Sequence, residues 1–180
     1  MRRRDLLAGA AALGASGVGA AYATGYIDPL GLAATVEPIE LETIDAPGSQ
    51  AGTLSVPERG NVTVLEFFAT WCGVCAEQME PMGAVYDDIG QHPDVQFLSV
   101  TNEPVGRTVT RSDVATWWID HDGRWSVALD NDLALTEALD ASGVPYTYVL
   151  DDSNAIRYAG RGYKSVDELL EPIERAVDGV

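Results

Sequence analysis

Two cysteines are the only thiols in the chain, and their spacing suits them to react as a pair. They lie in the segment WCGVC, residues 71–75, which directly follows the most apolar stretch of the sequence and opens a predicted helix. A CxxC in this strand-to-helix context is typical of a dithiol that alternates between reduced and disulfide-bonded forms. The pair therefore predicts thiol–disulfide exchange.

The two thiols are expected to have different roles. Cys72 would stand at the first turn of the helix, where the helix dipole and unpaired backbone N–H groups lower the pKa of a thiol and favour the thiolate. We therefore expect Cys72 to be the attacking nucleophile. Cys75 lies one turn deeper, where it could attack the mixed disulfide at Cys72 and release the partner, so we expect it to be the buried resolving thiol.

One acidic residue interrupts the apolar strand before the cysteines. Glu66 lies six residues before Cys72, and a carboxylate in a buried strand is costly unless it has a task. We expect Glu66 to exchange a proton with Cys75 through water. The alternative is that this side of the strand faces solvent and that the charge is simply hydrated.

Hydrophobic periodicity and turn residues predict alternating strands and helices around this segment. The predicted strands cover residues 39–44, 53–56, 61–69, 95–100, 125–129, 146–150 and 155–158. The predicted helices cover residues 74–89, 112–120, 132–141 and 165–177. The first two strands form a hairpin ahead of the strand–helix alternation. This order predicts an α/β fold with a central mixed sheet flanked by helices and an N-terminal β-hairpin extension.

Several helix ends are predicted from capping residues. Ser112 is expected to cap the second helix, and Gly143 to stop the third. Ser165 with Glu168 three residues later has the pattern of a capping box at the start of the last helix, in which Pro172 would introduce a kink.

The N-terminus has the pattern of an export signal. Arginines occupy positions 2–4, no charged side chain follows between residues 6 and 27, and Ala21-Tyr22-Ala23 offers a cleavage site. We expect a twin-arginine-type signal peptide or membrane anchor over residues 1–23, a linker over 24–36 and one folded domain over 37–180. An uncleaved segment 6–27 would anchor the protein in a membrane.

The charge balance restricts the partners. The formal net charge is −17, with 28 acidic and 11 basic residues, and Lys164 is the only lysine. Because no basic stripe could neutralise phosphates, we expect no nucleic-acid partner. An acidic, lysine-poor surface favours a protein from a halophile, although a merely acidic domain has the same signature.

Two segments together resemble a known family. FFATWCGVC, followed by a strand, a helix and GVPYTYVLDDSNAIRYAGRG, resembles the thioredoxin superfamily and its TlpA/ResA-like membrane-associated branch over residues 37–177. The resemblance implies that the Val144–Pro145 bond is cis and faces the cysteines, and that Glu66 stands where thioredoxin has a buried aspartate. Pro81 departs from the family by one position, which predicts a local bulge in the helix.

The resemblance also implies a function. It predicts an extracytoplasmic thiol-disulfide oxidoreductase that reduces disulfides of protein partners, for instance apocytochromes c, and is recharged by a membrane electron donor of the thiol type. Trp71, Gly73, Val74 and Val144 would contact the partner. The thiols carry the chemistry, so we expect no cofactor.

Two alternatives stay open at this point. The first is an oxidative catalyst, since a strongly stabilised Cys72 thiolate would make the protein an oxidant. The second is a non-enzymatic module that binds copper or a client protein. Because zinc prefers four ligands and only His92 and His121 could join the cysteines, we expect no metal site.

Overall fold

The computed structural model describes residues 34–179. Its seven strands are β1 (Ile39–Thr43), β2 (Gly52–Val56), β3 (Val62–Phe68), β4 (Val95–Thr101), β5 (Ser126–Leu129), β6 (Tyr146–Leu150) and β7 (Ile156–Arg161). Its helices are α1 (Gly73–Asp88), α2 (Arg111–Asp120), α3 (Ala134–Ala138) and α4 (Val166–Val177).

All seven strands form one mixed sheet in the order β2-β1-β5-β4-β3-β6-β7. Strands β3, β4 and β5 are parallel, while β6, β7, β1 and β2 pair antiparallel with their neighbours. The predicted N-terminal hairpin is confirmed as β1–β2 and extends one edge of the sheet. Strand β3 is buried along its whole length, as its nearly continuous apolar sequence predicts.

The sheet separates two apolar cores. Alternate residues of β3, such as Val64 and Phe68, pack with α1, α2 and α4 on one face, which we call the α1 face. The intervening residues, such as Leu65 and Phe67, pack with α3 and the N-terminal hairpin on the other face. The period of two along a strand therefore decides which side chains can lie beneath the cysteine-bearing helix.

Two predicted helix ends are wrong. The cap of α2 is Thr110, not Ser112, because Thr110 and Asp113 exchange the reciprocal hydrogen bonds of a capping box. Helix α3 ends at Ala138, well before Gly143. The capping box at Ser165 and Glu168 is confirmed, and α4 continues past Pro172. Helix α1 is a single helix with Pro81 inside it, and the expected bulge is absent from it.

The first described residues, 34–36, are hydrogen-bonded to residues 154–156 of the folded domain. The backbone of Ala34 accepts from Ile156, Thr35 bridges Ala155, and Val36 is buried and donates to Asn154. The predicted signal or anchor, 1–23, and most of the predicted linker, 24–36, lie outside the described residues. Within residues 34–179, no helix has the length and apolarity needed to cross a membrane.

Candidate redox site

The cysteine pair lies between the end of β3 and the first turn of α1. A tight turn follows the strand, closed by a hydrogen bond of 3.0 Å from the Cys72 N–H to the Ala69 carbonyl. Cys72 is the N-cap of α1, and its Sγ accepts from the backbone N–H of Cys75 at 3.1 Å. The two cysteines form a disulfide with a Cα–Cα distance of 5.2 Å. The sequence-based placement of the pair at the mouth of a helix is thus confirmed.

The two sulfur-bearing residues differ in access. Cys72 is 8% exposed and Cys75 is wholly buried. The side chains next to Cys72 are far more open, because Trp71 is 76% and Val74 43% exposed, and Gly73 is also exposed. A large aromatic residue held in water beside a disulfide is unusual for a surface position and is typical of residues that meet a partner.

A second segment that the sequence assigns to the site lies directly before β6. The Val144–Pro145 peptide bond is cis, as the resemblance implies. Val144 is partly buried and packs against the apolar cluster that contains both cysteines. The Pro145 carbonyl accepts the N–H of Gly162 at 2.9 Å, so this loop is fixed to the end of β7.

Glu66 lies on the α1 face of the sheet, the face on which Cys75 is also buried. It is wholly buried, which rules out the alternative of a hydrated surface charge. Neither of its carboxyl oxygens has a hydrogen-bond partner among the described residues. Burial raises the pKa of Glu66 to about 8, and the nearby Ser99 hydroxyl offsets only part of this rise.

Two hydroxyl residues flank Glu66 in the sheet. Ser99 on β4 and Thr147 on β6 are its direct neighbours in the strand register, and both are fully buried. The Trp125 indole N–H donates to the Ser99 hydroxyl at 2.9 Å, whereas the Thr147 hydroxyl has no partner within the described chain. The α1 face therefore contains a row of three polar side chains, of which Glu66 and Thr147 have no hydrogen-bond partner among the described residues. Such a row favours an internal water.

A buried carboxylate that the sequence did not indicate also belongs to the site. Glu103, two residues after β4, accepts hydrogen bonds from the backbone N–H and the hydroxyl of Thr70, at 2.7 and 3.0 Å. Thr70 lies in the turn that leads to Cys72. The available signal was an acid directly after a buried parallel strand, at the sheet edge where sites collect.

The side-chain amide of Gln78 fixes helix α1 near Cys75 to the rest of the domain. Gln78, one turn after Cys75, is buried and donates to the Lys164 carbonyl at 3.0 Å while accepting the Lys164 N–H at 2.6 Å. The two bonds tie α1 to the connection between β7 and α4. Gln78 thereby fixes the helix whose first turn contains both cysteines.

The remaining sequence candidates lie away from the sulfurs. His92 follows α1, and His121 ends α2 and stacks on Trp117 with ring centroids 4.3 Å apart. Trp118 and Trp125 are core residues, as expected. In the part of the chain that the structure describes, no three His, Cys, Asp or Glu side chains are grouped to hold a metal ion.

The comparison with protein families identifies the class. The Redoxin family model matches residues 35–173, so the chain belongs to the Redoxin family. With its fold and its cysteine pair, it is a thioredoxin-superfamily protein of the TlpA/ResA-like type and a thiol-disulfide oxidoreductase. Its substrates are accordingly the thiols and disulfides of proteins.

Individual relatives agree with this class. The sporulation thiol-disulfide oxidoreductase A of Bacillus subtilis is 22% identical over 118 residues, which is 66% of this chain and 70% of the relative. The crystal structure of StoA from Bacillus subtilis has a TM-score of 0.63 at 19% identity and covers 77% of this chain and 98% of its own.

A second structure, the exposed lipoprotein thioredoxin Etrx1 of Streptococcus pneumoniae, has a TM-score of 0.64 at 19% identity, covering 77% of this chain and 98% of its own. These likenesses show the thioredoxin-like fold, including the mixed sheet flanked by helices.

Proposed function

We propose that this protein is an extracytoplasmic reductant of protein disulfides, recharged by a thiol-type electron donor in the membrane, with apocytochromes c as an expected client. The observation that carries the proposal is the asymmetry of the Cys72–Cys75 disulfide. Cys72 keeps 8% exposure beside exposed apolar residues, whereas Cys75 is wholly buried on the face that contains an unpaired acid.

The reducing direction is supported by the charge of the chain, which acts against the stabilisation that a Cys72 thiolate gains at the start of α1. Within the described residues, the hydrogen bond to the Cys72 sulfur comes from the Cys75 N–H. The net charge of −17 opposes a further negative charge. Since a weakly stabilised thiolate favours the disulfide form of the protein, the dithiol is a good electron donor.

The reaction follows from the positions of the two sulfurs. The Cys72 thiolate attacks one sulfur of the partner's disulfide, which forms a mixed disulfide and releases the partner's other sulfur as a thiolate. Cys75 then attacks Cys72, the mixed disulfide breaks, and the partner leaves with two reduced thiols. Two electrons pass from the Cys72/Cys75 dithiol to the partner, and the Cys72–Cys75 disulfide remains.

Glu66 is proposed to handle the proton of Cys75. Before Cys75 attacks, its thiol must lose a proton, and a carboxylate at Glu66 accepts it through an internal water beside Ser99 and Thr147. When the disulfide is recharged, the protonated Glu66 returns that proton. A pKa of about 8 leaves the acid largely protonated at neutral pH in the disulfide form, which is the state that recharging requires.

The partner-binding roles of Trp71, Gly73, Val74, Val144 and Pro145 belong to the same proposal. Trp71 and Val74 supply exposed apolar surface, and the cis Pro145 segment flanks it. Two grooves border α1, and neither is lined by a cysteine. A cysteine beside exposed apolar side chains, outside these grooves, suits a protein partner better than a small molecule.

Location is proposed from the sequence and from one relative. The arginine-led uncharged N-terminus predicts export or anchoring through residues 6–27, and one structural neighbour is by name an exposed lipoprotein. The acidic surface further suggests a salt-adapted source, so measurements belong in concentrated salt.

The test is the midpoint reduction potential of the Cys72/Cys75 pair, measured on the whole chain by equilibration with defined thiol buffers. A potential of about −270 mV or lower supports the reductant, whereas one near about −120 mV identifies an oxidant. Stoichiometric copper uptake without a reversible couple would instead support the binding module, which the described residues equip with no ligand beyond the two cysteines.

A further inference from the structure

A second buried carboxylate binds the turn that leads to Cys72 and is not part of the proposed proton relay. Glu103 is 8% exposed, and no ion pair of the described residues includes it. A buried charge without a cation is costly unless hydrogen bonds satisfy it. The hydrogen-bond donors around the Glu103 carboxylate therefore indicate its role.

Every hydrogen bond at the Glu103 carboxylate comes from a donor on its own strand end or on the cysteine turn. Oε2 accepts the Thr70 N–H at 2.7 Å and the Thr101 hydroxyl at 3.2 Å, and Oε1 accepts the Thr70 hydroxyl at 3.0 Å. The carboxylate is the acceptor in all three of these hydrogen bonds.

The turn that Glu103 holds is the one that delivers Cys72 to the helix. The Cys72 N–H closes it onto Ala69, and Thr70 is its second residue. The carboxylate thus fixes the direction in which the chain enters α1. It also places a carboxylate on Thr70, the residue two positions before Cys72.

We propose that Glu103 is a positioning residue of the redox pair, which fixes the turn before Cys72 and, through its charge, keeps the Cys72 thiolate weakly stabilised. This inference rests on the reductant role proposed above and gives it a structural cause. A less stable thiolate makes the dithiol give up two electrons and two protons more readily to a partner's disulfide, which becomes two thiols.

Two other buried carboxylates face this part of the sheet and are engaged differently. Glu66 lies inside on the α1 face, without a hydrogen-bond partner among the described residues. Asp130 lies after β5 and binds the backbone N–H groups of Leu135 and Thr136 at the start of α3, at 3.1 and 2.7 Å. Asp130 therefore provides a matched control, a buried carboxylate that holds a helix start away from the cysteines.

The test compares Glu103→Gln with Asp130→Asn in the reduced full chain. The glutamine amide can still accept the Thr70 N–H, so the main loss is the charge. We expect alkylation of Cys72 by iodoacetamide at pH 7 to rise roughly three- to tenfold in Glu103→Gln and to stay unchanged in Asp130→Asn. At pH 8.5 in a fixed glutathione buffer, the dithiol-to-disulfide ratio should rise in Glu103→Gln only.

A third variant separates charge from shape. Glu103→Asp keeps the charge on a shorter side chain, and we expect it to retain the low reactivity of the natural protein. Equal alkylation rates in Glu103→Gln and the natural protein, or an equal rise in Asp130→Asn, would overturn the inference. If the natural protein shows no reversible couple, the reductant role fails, whereas the alkylation comparison still decides the role of Glu103.

Discussion

The outer and inner sides of the cysteine pair are built in different ways. On the outer side, Cys72 caps α1 beside Trp71 and Val74, whose apolar surfaces are exposed to water. On the inner side, Cys75 is wholly buried on the face of the sheet that contains Glu66. A segment of four residues, 72–75, thus joins a region that suits a protein partner to an interior that suits a proton transfer.

The difference shows how a short motif produces two chemical environments. The first cysteine stands before the helix and the second in its first turn, so Cys75 is carried one turn deeper and is wholly buried, while Cys72 stays beside exposed residues. The acid on β3 is then placed by the period of two along the strand. Each side of this arrangement can be disturbed without the other.

Replacing each cysteine separately gives the largest expected effects. Cys72→Ser should reduce the rate of disulfide reduction by about a thousandfold or more, because the partner meets no other thiol. Cys75→Ser should still attack but should accumulate the mixed disulfide, since no resolving thiol remains. Non-reducing gels and mass spectrometry of the trapped complex check both outcomes. Trapping by Cys72→Ser instead of Cys75→Ser would reverse the assigned roles.

Glu66→Gln tests the inner side through stability. The folded pKa of Glu66 is raised from 4.5 to about 8, so the folded protein holds a proton that the unfolded chain releases above pH 4.5. Stability is therefore greatest at low pH and is lost as pH rises toward about 8, at about 1.4 kcal/mol per pH unit. A glutamine at this position does not titrate, so the Glu66→Gln protein does not lose this stability as the pH rises.

Denaturant unfolding of the oxidised proteins measures the effect. We expect Glu66→Gln to match the natural protein near pH 5 and to be more stable by roughly 3 to 5 kcal/mol at pH 8. The resolving step, followed in single turnovers, should at the same time slow by about a hundredfold. A constant stability difference across this pH range would contradict a buried, titrating acid.

The cysteine pair and Glu66 could be predicted from the sequence because both features depend on neighbouring residues in the chain. The CxxC after a buried strand, the acid within that strand and the capping box at Ser165 are all read from neighbouring residues. The cis bond at Pro145 came from the family resemblance, since an isolated X-Pro bond is more often trans. The structure confirms the mixed sheet and the N-terminal hairpin on the same grounds.

Long-range contacts account for what the sequence did not provide. Glu103 meets Thr70 across 33 positions, and no periodic pattern links the two. Helix α3 is shorter than its apolar spacing predicts, because Asp130 binds its first N–H groups and Leu133 before it has a φ of 64°. Thr110 and Ser112 are both hydroxyl caps by type, and only the reciprocal bond with Asp113 distinguishes them.

Trp71→Ala tests the outer side with a smaller expected effect. Removal of the exposed indole should raise KM for a protein disulfide roughly 5- to 30-fold while leaving kcat little changed, since the side chain binds the partner and does not react. Ile119→Ala, which truncates an exposed apolar residue on α2 at 57% exposure, is the control and should change neither constant. A fall in kcat alone would place Trp71 in the chemistry instead of the docking surface.

The two hydroxyl residues beside Glu66 allow a comparison within the inner side, and the effects expected there are the smallest. The Ser99 hydroxyl accepts from Trp125, whereas the Thr147 hydroxyl is buried without a partner in residues 34–179. Ser99→Ala leaves the indole N–H of Trp125 unpaired, so it should lower the free energy of unfolding by about 1 to 2 kcal/mol.

Thr147→Val removes an unsatisfied group of nearly the same shape, so it should leave stability unchanged or raise it by up to about 1 kcal/mol. Denaturant unfolding at pH 6, where Glu66 is protonated in the folded state, measures both variants without a change in charge. If Thr147→Val instead loses as much stability as Ser99→Ala, the Thr147 hydroxyl has a partner in solution. An internal water bonded to Glu66 would supply it, which would give the proton relay its missing link.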